Sequence, residues 1–173
     1  MPITKEKIEK ILEEKNFSHY KICKFLDYSE GALSMMINGK RPFSDKFKEK
    51  ILPILEISRE EFESWILADK YSKEVLKLAI QAKKESKNTD KLILTTKIDE
   101  ILQNKNMSRT DLSKLIKHSQ SGLNRVIIGK EPLSKKVLAK LANSFELPEN
   151  EIKSWIIADK YSLQVLESAL NLS

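Results

Sequence analysis

The strongest constraint on this chain is an internal repeat. Ser64-Trp65-Ile66-Leu67-Ala68-Asp69-Lys70-Tyr71-Ser72 returns ninety residues later as Ser154-Trp155-Ile156-Ile157-Ala158-Asp159-Lys160-Tyr161-Ser162, with eight of nine positions the same. From Ile3/Ile93 to Ile80/Leu170 the two halves overlay without a gap, and 31 of 78 positions are identical. The 173 residues therefore read as two copies of a unit of about 85 residues. Each copy is long enough for a small core, whereas two copies fall short of the roughly three that a stacked solenoid needs. The repeat places domains at 1–87 and 88–173, with a seam near Asn88-Thr89-Asp90.

Both copies read as helical. Gly is scarce, alternating apolar runs are absent, and apolar spacings of three and four recur. Ser or Thr marks helix starts, where its oxygen can accept from first-turn N–H groups. In the first copy, Thr4 to Lys15 forms one helix with Ile8, Ile11 and Leu12 inward. A second follows Ser18 and ends near Leu26, with Ile22, Phe25 and Leu26 inward. Ser29 opens a third, carrying Leu33, Met36 and Ile37, and Gly39 stops it. Ser44 opens a fourth through Phe47, Ile51 and Leu55. Pro53 inside it predicts a kink or an early end, because its ring removes a hydrogen bond. Ser58-Arg59-Glu60-Glu61 has the capping-box pattern ahead of Phe62, Trp65 and Ile66. Ser72 precedes a sixth helix with Val75, Leu76, Ala79 and Ile80 on one face. The second copy repeats this order, with Leu112, Leu115 and Ile116 in its second helix and Leu123, Val126 and Ile127 in its third. Pro148 stands where Ser58 was.

The net charge of +6 becomes informative once mapped. Residues 15–50 carry net +4 and residues 105–140 net +7, while 51–80 carry −2 and 141–173 carry −3. Each copy has a basic front and an acidic back, the footprint of a polyanion-binding face. No apolar run reaches the ~18 residues of a membrane span, and the N-terminus has no signal-peptide core. A single Cys excludes an internal disulfide and suits a reducing, cytoplasmic setting.

The second and third helices are short and closely spaced. A small residue, Cys23 or Ser113, follows the apolar Ile22 or Leu112, and each copy closes on Gly-Lys-x-Pro before a Ser-capped helix. This arrangement resembles the Cro/repressor-type, Xre-like helix-turn-helix family over roughly Ile3–Ile57 and Ile93–Leu147. The expected fold is all-α: two tandem lambda-repressor-like helix-turn-helix domains, each extended by two extra C-terminal helices. That family usually has Gly in the turn between the two helices. Here Asp27 and Lys117 stand there, and Asp tolerates the left-handed geometry better than Lys.

The resemblance implies double-stranded DNA as partner, with the third helix of each copy in the major groove. In the second copy Gln120, Ser121, Asn124 and Arg125 would read bases, since Gln and Asn can pair with adenine and Arg with guanine. Arg109, Thr110 and Lys130 would hold phosphates. The matching face of the first copy is Glu30, Gly31, Ser34 and Met35, a weaker set in which Glu30, Ser34 and Met35 are the candidate readers. His19, Tyr20, Lys40 and Arg41 would grip the backbone. The expected function is a transcription regulator, a repressor, reading an imperfect repeat with two heads in one chain. No cofactor or metal is expected, because His19 and His118 have no ligand-like spacing, and Cys23 fits a small buried spacer better than a nucleophile. A homodimer stays open. So does an antitoxin or phage-type control protein that binds a protein partner through the acidic C-terminal halves. RNA reading needs exposed aromatic surfaces, and the aromatics fall mostly on core-facing positions. Nothing phosphate-cradling or triad-like supports an enzyme. Asp69, Lys70, Tyr71 and their copies read as a structural ion pair or a helix junction rather than a catalytic group.

Overall fold

The computed structural model describes residues 2–86 and 91–173; the expected seam at Asn88-Thr89-Asp90 lies outside the described residues. Among them are twelve α-helices and no strand, so the chain is all-α. No described helix is long and apolar enough to cross a membrane.

The chain divides into two compact units. The first runs through Lys73 and includes Glu167–Ser173, and the second is Glu74–Leu166. The first unit holds α1 (Ile3–Glu14), α2 (His19–Leu26), α3 (Glu30–Ile37), α4 (Asp45–Leu55) and α5 (Arg59–Lys70). The second holds α6 (Lys73–Glu85) from its second residue on, α7 (Ile93–Asn104), α8 (Arg109–Leu115), α9 (Gln120–Ile127), α10 (Lys135–Phe145) and α11 (Glu149–Lys160). α12 (Leu163–Leu172) begins in the second unit and ends in the first. Packing thus draws its line elsewhere than the repeat, which put 1–87 together. The stripe of α6, Val75, Leu76, Ala79, Ile80 and Ala82, is buried, and its Lys83 Nζ donates to the Ala158 carbonyl at 2.7 Å. Leu172 packs on the core of the first unit.

Ser side chains start most helices as expected. Ser18, Ser29 and Ser44 accept from Lys21, Ala32 and Phe47 N–H, and Ser108, Ser119 and Ser134 do the same in the second unit. At Ser58 the hydroxyl accepts from Glu61 N–H at 3.0 Å, whereas a full capping box forms at Ser108 and Asp111. α4 does not stop at Pro53 but runs on to Leu55. Pro53 lies in the last turn with its ring exposed, so the lost hydrogen bond falls where a helix is already fraying.

α1 and α7 lack a side-chain cap of their own. Pro2 and Leu92 occupy the N-cap positions of α1 and α7 and offer no side-chain oxygen. The repeated nonapeptide supplies what is missing. Asp69 accepts from Ile3 and Thr4 N–H at 2.6 and 2.9 Å, and Asp159 from Ile93 and Leu94 N–H at 2.7 and 3.0 Å. A carboxylate there satisfies two orphan donors and meets the positive end of the helix dipole. The neighbours serve the same junction. Ser64 and Ser154 are buried and bond Glu61 and Glu151 carbonyls, Trp65 and Trp155 are buried, and Lys70 and Lys160 sit over Tyr71 and Tyr161. α1 packs on α5 and α3, and α7 on α11 and α9, so each cap fixes the helix that backs a short helix pair.

Candidate nucleic-acid interface

In each unit two short helices meet across a tight turn. The buried face of α2 is Ile22, Cys23 and Leu26, and that of α8 is Leu112 and Ser113, with Ile116 buried just beyond. The small side chains at Cys23 and Ser113 let α3 and α9 approach closely. Burial raises the Cys23 thiol, with the nearby Glu30 charge adding to it, as befits a spacer. Phe25 and Leu115, expected inward, instead stand 72% and 55% exposed. The buried arc is centred on residues i, i+1 and i+4, which turns the i+3 position outward. Tyr20 is 63% exposed as well, but the aromatics fall mostly inside, with Phe47, Phe62, Trp65, Phe145 and Trp155 all buried.

The turn itself passes through a left-handed residue in both units, Asp27 at φ +60 and Lys117 at φ +49. Such geometry costs a non-Gly residue about 1–2 kcal/mol. A lysine from the fourth helix offsets it. Lys50 Nζ donates to the Leu26 carbonyl at 2.9 Å, and Lys140 Nζ donates to the Ile116 carbonyl. Each ammonium ties off the carbonyl end of the preceding helix.

α9 turns Leu123, Val126 and Ile127 inward. Gln120, Ser121 and Arg125 are exposed and Asn124 is half-buried. Gln120 and Thr110, expected to read a base and hold a phosphate, are brought together: Gln120 Nε2 donates to Thr110 Oγ1 at 2.8 Å. Asn124 buries its Oδ1 without a hydrogen-bond partner. Arg109 lies against Asp99, with Nε and Nη2 bonding Oδ1 at 2.9 and 2.7 Å, so its guanidinium is already committed within the unit. Arg125 meets Glu131 at 2.9 Å. Gly122 carries a second constraint: a Cβ there would come within 2.7 Å of His118 Cε1 and 2.8 Å of Ser119 Oγ. Lys117, Lys130, Lys135 and Lys136 are exposed and enter no salt bridge among the described residues.

α3 presents a different face. Glu30, Gly31, Ser34 and Met35 are exposed, and Asn38 Nδ2 bonds back to the Ser34 carbonyl at 2.8 Å. His19, Tyr20, Lys40 and Arg41 are all exposed around it. The lysines that tie the turns and the aspartates that cap α1 and α7 escaped the sequence reading of the site. Their only signal is identity between copies at Lys50/Lys140 and Asp69/Asp159.

A family model described as helix-turn-helix matches residues 98–152, from within α7 into α11. No curated protein and no solved structure matches the chain. The matched stretch holds α8 and α9 whole and lies within the second unit.

Proposed function

We propose that the chain is a sequence-specific, double-stranded DNA-binding transcription regulator, a repressor, with α9 its principal reading helix and α3 a weaker one. The observation that carries the reading is the outward face of α9. Gln120, Ser121, Asn124 and Arg125 share it, inside the stretch that matches the helix-turn-helix family. Their donors and acceptors suit base edges in the major groove, and the exposed lysines around them suit phosphates. Because the faces of α3 and α9 differ, the bound site is an imperfect repeat. Selection from randomised duplexes at two salt concentrations tests this. The expected result is an enriched motif with one sharply defined half and an affinity that falls steeply with salt. Equal enrichment of all sequences, or equal binding of single strands, contradicts it. Placed across a promoter in a purified transcription assay, the enriched motif should lower output when the protein is added; a rise would make the protein an activator.

A second reading is an antitoxin or phage-type control protein that acts on a protein partner. It is favoured by the exposed Tyr20, Phe25 and Met35 of the first unit. Under that reading, replacing Phe25 by Ser abolishes capture of a neighbour-encoded basic protein and leaves duplex binding intact.

A further inference from the structure

The loop after α9 folds back on Arg125. Gly129 turns the chain at φ +72, and Lys130 and Glu131 N–H then donate to the Arg125 carbonyl at 2.8 and 3.1 Å. The Glu131 carboxylate closes on the Arg125 guanidinium at 2.9 Å. α3 has the same backbone return, with Gly39 at φ +70 and Lys40 and Arg41 N–H donating to the Met35 carbonyl at 2.9 and 3.0 Å. There the side chains are Met35 and Arg41, which cannot pair. The frame is shared, and the Arg–Glu couple belongs to the second unit alone.

Stability does not account for that couple. The side chains are 57% and 39% exposed, and ion pairs so open to water contribute little. We propose that Glu131 is a specificity-determining residue: it holds the Arg125 guanidinium in a reading orientation and disfavours sequence-independent binding. The inference rests on α9 being the reading helix. A free Arg on such a face samples many rotamers and takes a phosphate as readily as a base. A carboxylate beside it occupies part of the five-donor fork and leaves the remaining donors for O6 and N7 of guanine. The same carboxylate repels the phosphates of every sequence alike. Both effects lower non-specific affinity relative to specific affinity.

The test compares the full chain with Glu131→Gln and Glu131→Asp on the selected duplex and on its single-base variants. Glu131→Gln should tighten non-specific duplexes by about two- to five-fold at low salt and steepen the salt dependence by about one cation. It should cut discrimination at the base pair read by Arg125 by about three- to ten-fold. Glu131→Asp keeps the charge but withdraws the carboxylate by one methylene, so it should lose discrimination while non-specific binding stays as in the parent. In an Arg125→Ala background, Glu131→Gln should change discrimination no further. The proposal is overturned if Glu131→Gln leaves discrimination unchanged at every base pair, or weakens all duplexes equally with a loss of helix content by circular dichroism. If the parent enriches no motif at all, the DNA reading of α9 falls and this role with it. If the parent enriches a motif and Arg125→Ala blurs one base pair while Glu131→Gln blurs none, only the role of Glu131 falls.

Discussion

In α2–α3 the turn passes through Asp27 and is tied by Lys50; in α8–α9 it passes through Lys117 and is tied by Lys140. The same positions do the same work ninety residues apart. The cores behind them are filled differently. The first unit runs an aromatic chain, Tyr28 edge-on to Phe47, then Phe43, Phe62 and Trp65, at centroid distances of 5.1 to 5.9 Å. Their counterparts in the second are His118, Val137, Leu133, Ile152 and Trp155. On the outward faces of α3 and α9 the contrast is complete, with Glu30, Ser34 and Met35 against Gln120, Asn124 and Arg125, while Lys40 and Lys130 beside them stay the same. Core positions tolerate any apolar filling of adequate volume. A cap or a carbonyl tie needs one group at one place. Outward faces are free to change with what they meet. Sameness therefore marks the joints, and divergence marks the surfaces on which recognition depends.

The joints are the place to break this comparison first. Trp65→Ala and Trp155→Ala should each destabilise by about 3–5 kcal/mol in chemical denaturation, since both side chains are buried. A large cost at one and almost none at the other would mean that the two residues do different work. Next come the caps. Asp69→Ala and Asp159→Ala should cost about 1–2 kcal/mol each, with faster amide exchange at the starts of α1 and α7. Unchanged exchange there would remove the nonapeptide's proposed task. The smallest effect is a difference in acid. The Ser108 hydroxyl and backbone N–H hold the Asp111 carboxyl below its ordinary range, while Lys21 stands at that position in α2. A lowered folded value means the contribution is complete above the unfolded value, about pH 4, and is lost as pH falls through the folded one. Amide exchange at the start of α8 should rise on acidification through that window more than at the start of α2. Equal change in both would contradict the assignment.

Much of this was legible in the sequence, for local reasons. Ser caps, Gly39 and Gly129, and apolar spacings of three and four act within a turn or two, and they placed α2, α3, α8 and α9. The candidate readers on α9 came from the resemblance to the helix-turn-helix family, and the same spacing said which residues of that helix face outward. Other features depend on distant partners. That Phe25 and Leu115 face outward depends on how α2 and α8 are rotated against their cores, which a short helix leaves open. Asp69 meets the start of α1 across more than sixty residues, and the unit to which α6 belongs is set by what covers its stripe. Arg109 and Arg125 looked free because Asp99 and Glu131 close on them only in space. The continuation of α4 past Pro53 reflects a last turn that can spare a hydrogen bond.

The central claim is that α9 reads bases while the loop beside it holds phosphates. Arg125→Ala and Lys130→Ala, titrated against the selected duplex and its single-base variants over a range of salt, test it most directly. Arg125→Ala should erase discrimination at one base pair, about 1–3 kcal/mol, and leave the others intact. Lys130→Ala should weaken every sequence alike and reduce the salt dependence by about one cation. Uniform and equal losses from both substitutions would contradict the account.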